Sequence, residues 1–271
     1  MINILQTEFF RLKKSKLFWA LLGVTAALPL ISALVSLAVN YFAMDVFQEQ
    51  GIELSFGEMI RNSNMFGQGL SSVTSLTGDT FLALICTSIF LCKEFSSGTF
   101  HNMLLANKSR LQLYLSYMTV AVVIGAAYLG VSFVSTFVFW AAIFGFGSLS
   151  ATTVITACLI ALAMGLVSTI FVQTMMCMFM FGTRKMAVTI VCPLVISIIV
   201  PSLVLSFVQS FTTLGLMTDA DLSWMPMYNT SLLLVTAPDA ALVGKILMYN
   251  IPLSVLFGFM GWVTFRKADL K

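Results

Sequence analysis

The segment from Leu111 to Thr183 contains no charged residue over 73 positions. As one straight helix it would be about 110 Å long, whereas the hydrocarbon core of a bilayer is about 30 Å thick. The chain therefore has to turn back within this segment. Glycine and serine cluster at 145–150, which favours a turn there. We predict two membrane-spanning helices, over 113–144 and 152–182.

The composition agrees with a membrane protein. Hydrophobic residues make up 59% of the 271 residues and charged residues 9%, and the mean hydropathy is +0.99. A typical soluble domain carries about 25% charged residues and could not bury so much apolar surface. The apolar residues occur in long runs, which excludes a transmembrane β-barrel of alternating short strands. We predict an all-α membrane protein with a single transmembrane domain over 1–271.

Four further spans are predicted, which makes six in total. They cover 17–40, 72–92, 187–213 and 246–265. The charge-free core of the second span is short, so that helix has to include Asp79 at the outer side of the membrane. The fifth contains Pro193 and Pro201, which predict a kink or a break.

Lysine and arginine predict the orientation. Of the 14 basic residues, 12 fall in the N-terminal segment, the second and fourth connections and the C-terminal tail. Six crossings return both termini to one side, so both are expected on the cytoplasmic side of a bacterial plasma membrane. The opposite face is acidic. Its carboxylates are Asp45, Glu49, Glu53, Glu58, Asp219, Asp221 and Asp239.

The N-terminal segment is amphipathic. Ile2, Leu5, Phe9 and Leu12 recur at helical spacing, and basic residues follow them. This pattern is typical of a helix that lies in the headgroup layer. A plain basic anchor at the cytoplasmic surface is the alternative.

The connection after the second span has the features of a short helix. Glu94, Ser96 and Ser97 suit a helix start, and Phe100 and Met103 lie on one apolar face. Spacing alone leaves two interpretations open. The helix either receives a cytoplasmic partner or packs on its own bundle.

This connection contains Glu94-Phe95-x-x-Gly98-Thr99-x-x-Asn102, and Ser109-Arg110 and Tyr114-Leu115-Ser116 follow it. The sequence resembles type-2 ABC exporter permeases, in which the pattern is roughly E-F-x-x-G-T-x-R/K-N before the third span. The six spans, the basic N-terminal helix and the acidic outer face extend the likeness over the whole chain. His101 departs from it, because the family usually has Arg or Lys there.

The resemblance implies a transmembrane permease subunit of an ATP-driven exporter that works by alternating access. Two cytoplasmic ABC ATPase subunits and a second permease, identical or related, would be its partners. A coupling helix would contact the ATPase through Glu94, Phe95, Ser97, Gly98, Thr99, Phe100, His101, Asn102 and Arg110. The resemblance also implies a re-entrant segment before the last span. The apolar residues 224–228 and 232–235 permit it, although a loop over the outer mouth would have the same composition.

Cofactor chemistry is not expected in this chain. No GxxxxGK[ST] motif occurs, so ATP and magnesium would be bound by the partner ATPase, and the chain is not expected to be an enzyme by itself. The single histidine excludes sites built on several imidazoles, and no metal is expected. The five cysteines lie in apolar runs and are predicted to be small buried hydrophobes. A lipid bilayer is expected around the chain, and no nucleic acid.

Three intramembrane features are also candidates. Asp79 either lines a pathway, caps a helix contact or lies at the outer surface. Ala157, Ala161 and Gly165 form a small-residue ridge, by design or by chance. The run 175–180 combines Met and Cys, which suit Cu(I) but more simply fill a core.

The hydrophobic walls favour an amphipathic or lipophilic cargo, such as a peptide, an antibiotic or a lipid-linked molecule. An ATP-independent secondary transporter or channel is the alternative function. Ion coupling usually needs several buried ionisable groups, and Asp79 alone qualifies here. An intramembrane metalloprotease is disfavoured because it needs more than one histidine.

Overall fold

The computed structural model describes residues 2–49, 66, 69–70, 79–96, 109–146, 151–200, 203, 206–207, 210 and 240–267. Every element in these ranges is helical, and they contain no strand. The elements are α1 (Ile2–Lys14), α2 (Lys16–Glu49), α3 (Asp79–Ser96), α4 (Arg110–Phe144), α5 (Ala151–Thr183), α6 (Met186–Leu194), a π-helical turn (Val195–Ile199) and α7 (Ala240–Lys267).

Within the described ranges, four helices are long and apolar enough to cross a membrane. They are Lys16–Phe42, Arg110–Phe144, Ala151–Thr183 and Leu247–Lys267. These correspond to the predicted first, third, fourth and sixth spans. The helix α3 covers part of the predicted second span, but its 18 residues include Asp79, Lys93 and Glu94. The second and fifth crossings therefore stay predictions, and so does the count of six.

The reversal predicted inside the charge-free segment is confirmed. The helix α4 ends at Phe144, and Gly145 has a φ of 67°, a left-handed conformation that favours glycine. Its backbone N–H donates to the carbonyl of Ala141 at 3.0 Å, which satisfies one of the last free carbonyls of the helix. The next helix begins at Ala151, one residue before the predicted start.

The irregularity predicted from Pro193 is also confirmed. This proline lies inside α6, and the π-helical turn Val195–Ile199 follows directly. Proline lacks a backbone N–H and displaces the carbonyl one turn before it, so the regular hydrogen-bond pattern cannot continue through it. The second proline of the predicted span, Pro201, lies outside the described residues.

The helices pack around α4 and α5. The helix α7 contacts chiefly α5, whereas α2 and α3 contact chiefly α4. Two buried apolar clusters occupy opposite ends of this bundle. One surrounds Tyr117 and Phe181, and the other surrounds Trp140 and Met164. All five cysteines are free, and Cys86, Cys92 and Cys177 are buried as predicted, whereas Cys158 and Cys192 are only half-buried.

The predicted small-residue ridge faces α4 of the same chain. Ala161 and Gly165 are buried, and a Cβ on Gly165 would lie 2.7 Å from Cδ1 of Leu129. One turn further along, a Cβ on Gly125 of α4 would meet Thr169 and the Cγ of Gln173. Close approach of α4 and α5 therefore depends on glycine on both helices.

We predict that Gly125→Ala destabilises the bundle by about 1–3 kcal/mol, because the added methyl overlaps a stiff β-branched side chain. The control is Gly130→Ala on the same helix, where a Cβ meets nothing within 4 Å. Thermal unfolding in detergent, followed by the fraction that elutes as a single species, measures both. Equal stability of the two variants would contradict the close α4–α5 contact.

Candidate functional site

Four helix ends converge at one end of the bundle, which we call the base. The N-terminus of α4 meets the C-termini of α5 and α7 there, and the last turn of α3 lies beside α4 through the contact of Glu94 with Tyr117. The rings of Phe181 and Phe265 lie 4.7 Å apart between centroids, and that of Tyr114 lies 5.2 Å from Phe181. The guanidinium of Arg110 donates to the carbonyl of Arg266 at 2.8 Å. The base therefore collects the basic helix ends that the sequence predicted to share one side.

The helix α1 packs against the base. A break at Ser15 separates it from α2, and the Ser15 hydroxyl accepts a hydrogen bond from the backbone N–H of Phe18 at 3.4 Å, in the position of a helix N-cap. Leu5 and Leu12 join the apolar cluster of the base. Phe9, predicted on the same face, is exposed, and the wholly buried residue between Leu5 and Leu12 is Glu8.

The carboxyl of Glu8 lies on the buried face of α1 because it belongs to a buried polar group. Nη1 of Arg11 donates to Oε1 of Glu94 at 2.6 Å and lies 3.4 Å from both carboxylate oxygens of Glu8. The side chains of Glu8 and Tyr117 are each hydrogen-bonded to Glu94. We call these four residues the base cluster. It joins α1, the last turn of α3 and α4.

The carboxyl of Glu8 holds a proton more tightly than an ordinary glutamate does. Burial, the hydrogen bond to Glu94 and the charge of Glu94 raise the pKa of Glu8 from 4.5 to about 8, although Arg11 opposes the shift. A proton on Glu8 reduces the negative charge that is buried beside Arg11, and it can be donated in a hydrogen bond to Glu94.

Two of the predicted coupling residues anchor the ends of the connection. Glu94 is wholly buried three residues before the connection begins, and Arg110 is exposed at the first turn of α4. Ser109 caps α4 by accepting from the backbone N–H of Gln112 at 3.3 Å. Phe95 lies in α3. The other predicted contacts, Ser97, Gly98, Thr99, Phe100, His101 and Asn102, lie outside the described residues.

The other candidates are distributed differently. Asp79 is the first residue of α3, and its side chain lies outside the described part, as do residues 72–78 and the predicted re-entrant segment. The ridge residue Ala157 is partly buried against the apolar cluster around Trp140. Met175, Met176 and Met180 are fully buried core residues. Among the residues that the structure describes, no three His, Cys, Asp or Glu side chains converge as a metal site would require.

Sequence reasoning missed Glu8, Arg11 and Tyr117 as partners of Glu94. One signal was present for Glu8, because it lies three residues after Leu5 and four before Leu12 on the apolar face of α1. A carboxyl on an apolar helix face predicts a buried cation or proton. Nothing in the local sequence identifies Tyr117, which lies on α4, as a partner of Glu94.

Two buried amides form a second polar feature, within the spans. Gln173 on α5 and Asn250 on α7 are fully buried, and within the described part of the chain none of their side-chain nitrogen or oxygen atoms makes a hydrogen bond. Ser168, five residues before Gln173 on α5, is buried too, and its hydroxyl has no hydrogen-bond partner among the same residues. An unsatisfied amide in an apolar environment costs several kcal/mol, roughly 2–7 by transfer measurements. These side chains therefore gain stability from any state that gives them water or a polar ligand.

A comparison with protein families completes this description. The sequence model of one protein family, described as ABC-2 family transporter protein, matches residues 4–201. The match covers almost all of α1, the whole of α2 to α6 and the base cluster. The chain belongs to the ABC-2 transporter family. No curated protein matches the chain. As an ABC-2 protein the chain is a membrane permease, a transport component that associates with an ABC ATPase.

We predict that stability depends on pH through Glu8. The folded chain holds the Glu8 proton more tightly than the unfolded chain, so this contribution is complete below pH 4.5 and is lost as the pH rises through about 8. The free energy of unfolding in detergent should fall from pH 6 to pH 9 by no more than about 1.4 kcal/mol per pH unit, and the apparent melting temperature should fall with it. Glu8→Gln, which keeps a neutral donor, should remove most of this fall. An unchanged pH profile in Glu8→Gln would show that Glu8 is ionised throughout.

A second prediction concerns Arg11. Its replacement in Arg11→Gln leaves the buried Glu94 carboxylate without its cation, which should cost about 1–3 kcal/mol. Lys13→Gln removes an equal charge from an exposed position on the same helix and should change stability by less than about 0.5 kcal/mol. Chemical unfolding of both variants in the same detergent compares them. Equal losses would mean that net charge, rather than the Arg11–Glu94 bond, stabilises the base.

Proposed function

We propose that this permease is the transmembrane subunit of an ATP-driven exporter that moves an amphipathic or lipophilic cargo by alternating access. Two ATPase subunits would bind at the base, and a second permease, identical or related, would complete the transporter. The observation that supports this most directly is the family match over residues 4–201. It includes the whole Glu94–Asn102 segment, for which we propose the role of coupling helix.

The base cluster provides a mechanical reason for this assignment. The first three residues of the proposed coupling segment, from Glu94 to Ser96, form the end of α3. Nη1 of Arg11 donates a hydrogen bond to Oε1 of Glu94 at 2.6 Å. A force applied to the segment by an ATPase would therefore act on α1 as well as on α3. Because Ser15 alone separates α1 from α2, the force would reach the first span too. The buried carboxylate is thus suited to brace the segment, and the residues after it are suited to contact the ATPase.

The charge of the base supports a cytoplasmic location for it. Exposed basic residues surround the base on four helices or their connections, including Lys13, Lys93, Lys185 and Lys267. Positive residues are retained on the cytoplasmic side of membrane proteins. We propose that the base and both termini face the cytoplasm of a bacterial cell.

The unsatisfied amides suggest where cargo passes. Gln173 and Asn250 lie on α5 and α7, two helices in extensive contact. In another state of the cycle, a rearrangement of α5 against both α4 and α7 would expose the two amides and line a path with polar groups between apolar walls. A cargo with an apolar body and a few polar groups would suit such a path. A pathway role for Asp79 remains part of the proposal.

The first test is purification of the chain from its native host, followed by identification of the subunits that accompany it. We expect an ABC ATPase in the complex and ATP-dependent transport in proteoliposomes. Transport by the isolated chain, driven by an ion gradient and lost in Asp79→Asn, would instead establish the secondary transporter.

We predict that Gly98→Trp uncouples ATP hydrolysis from cargo. The indole would obstruct the proposed contact with the ATPase, so cargo-stimulated hydrolysis should fall at least about tenfold, the equivalent of roughly 1.4 kcal/mol of coupling. Gly182→Trp is the matched control, because Gly182 is exposed at the base and a Cβ there meets nothing within 4 Å. Both variants should insert and elute normally. Stimulation that is unchanged in Gly98→Trp would rule out this segment as the coupling helix.

A further inference from the structure

A cavity of about 460 Å³ lies at the base, between α1, the start of α2 and the last turns of α3. Its volume lies within the range of about 300–1,000 Å³ that small-molecule sites occupy. None of the buried amides described above lines the cavity. The ABC-2 assignment does not explain it.

Four cations line this cavity, and no carboxylate is among its described lining residues. The cations are Arg11, Lys14, Lys16 and Lys93. Arg11 is the cation of the base cluster, where it is paired with Glu94. Lys14 lies over the ring of Phe10 at 4.4 Å, a contact that orients its ammonium group. Lys14, Lys16 and Lys93 give the lining a positive potential, which favours an anion.

The remaining walls are mostly apolar. They consist of Phe10, Leu17, Ile89 and Phe90. Leu17 begins the first apolar span, and Ile89 and Phe90 lie in the apolar part of α3. Phe10 and Trp19 are exposed beside the cavity, and Trp19 donates to the carbonyl of Lys13 at 2.9 Å. Exposed aromatic residues of this kind mark the depth of the lipid headgroups.

We propose that this cavity binds the headgroup of an anionic phospholipid from the same leaflet. The phosphate would lie among the ammonium groups of Lys14, Lys16 and Lys93. The glycerol and the first acyl carbons would follow Leu17, Ile89 and Phe90 toward the hydrocarbon. Both parts of the cavity, cationic and apolar, are matched by such a lipid. An acidic protein segment would satisfy the charges and leave the apolar walls uncovered.

The site has a structural consequence, because Arg11 belongs both to the cavity and to the base cluster. A phosphate bound here would lie next to the residue that ties α1 to α3. A bound headgroup would therefore hold α1 against the base. The proposal concerns lipid binding by the permease alone, so its test does not depend on whether the proposed transport function is correct.

The test is native mass spectrometry of the full-length, delipidated chain with phosphatidylglycerol and phosphatidylcholine of identical acyl chains. We expect preferential binding of phosphatidylglycerol. The triple variant Lys14→Gln/Lys16→Gln/Lys93→Gln should bind phosphatidylglycerol at least about tenfold more weakly, with phosphatidylcholine unchanged. The triple Lys→Arg variant at the same positions should retain binding.

The matched control is Lys13→Gln/Lys185→Gln/Lys267→Gln, which removes equal charge from the base outside the cavity. It should bind phosphatidylglycerol as the unmodified chain does, and an equal loss would overturn the proposal.

A second overturning result is displacement of the lipid by equimolar glycerol 3-phosphate, which would indicate a soluble phosphate ligand. A third is loss of ATPase association in the cavity variant with lipid binding intact, which would assign the cavity to the ATPase. If the triple variant does not elute as one species, Lys14→Gln replaces it, with an expected weakening of about threefold, and unchanged binding would count against the site.

Discussion

The hydrogen bond between Arg11 and Glu94 is the interaction on which the base of this permease depends. A carboxylate buried among apolar helix ends needs a cation close by, and α1 supplies it from a distant part of the sequence. The raised pKa of Glu8 favours its neutral form and so reduces the negative charge buried beside Arg11. The amphipathic N-terminal helix is therefore attached to the bundle by a specific polar contact as well as by Leu5 and Leu12. This contact also joins it to the end of α3, just before the connection that carries the family motif.

The bundle above the base combines close packing with unsatisfied polar groups. Glycines on α4 and α5 bring the two helices together, and the methyl groups of larger residues could not be accommodated there. The same α4–α5 contact buries Gln173 beside Gly125, and α7, which packs on α5, buries Asn250. Neither amide has a hydrogen-bond partner among the described residues, so close packing and polar groups that would gain from rearrangement occur on the same helices. A transporter that alternates between two states needs both properties.

Charge is divided at the base according to burial. Glu8, Arg11 and Glu94 neutralise one another inside, whereas the lysines remain at the surface or line the cavity. Three proposed roles thus lie close together: a brace at Glu94, an ATPase contact in the connection that follows and a lipid site beside Arg11. If both proposals hold, a lipid and the ATPase would act on the same helix end.

Much of the architecture follows from the sequence because its causes are local. Charge-free length, Gly145 and Pro193 determine where helices run, turn and become irregular, and the observed α4 and α5 differ from the predicted spans by at most three residues at any end. The Glu94 motif likewise identified the family without coordinates. The partner of Glu94, the burial of Glu8, the side on which Gly165 packs and the existence of the cationic cavity required the tertiary structure. Each of these depends on which residues distant in sequence become neighbours, and that is decided by helix packing, about which local patterns of charge and hydropathy carry no information.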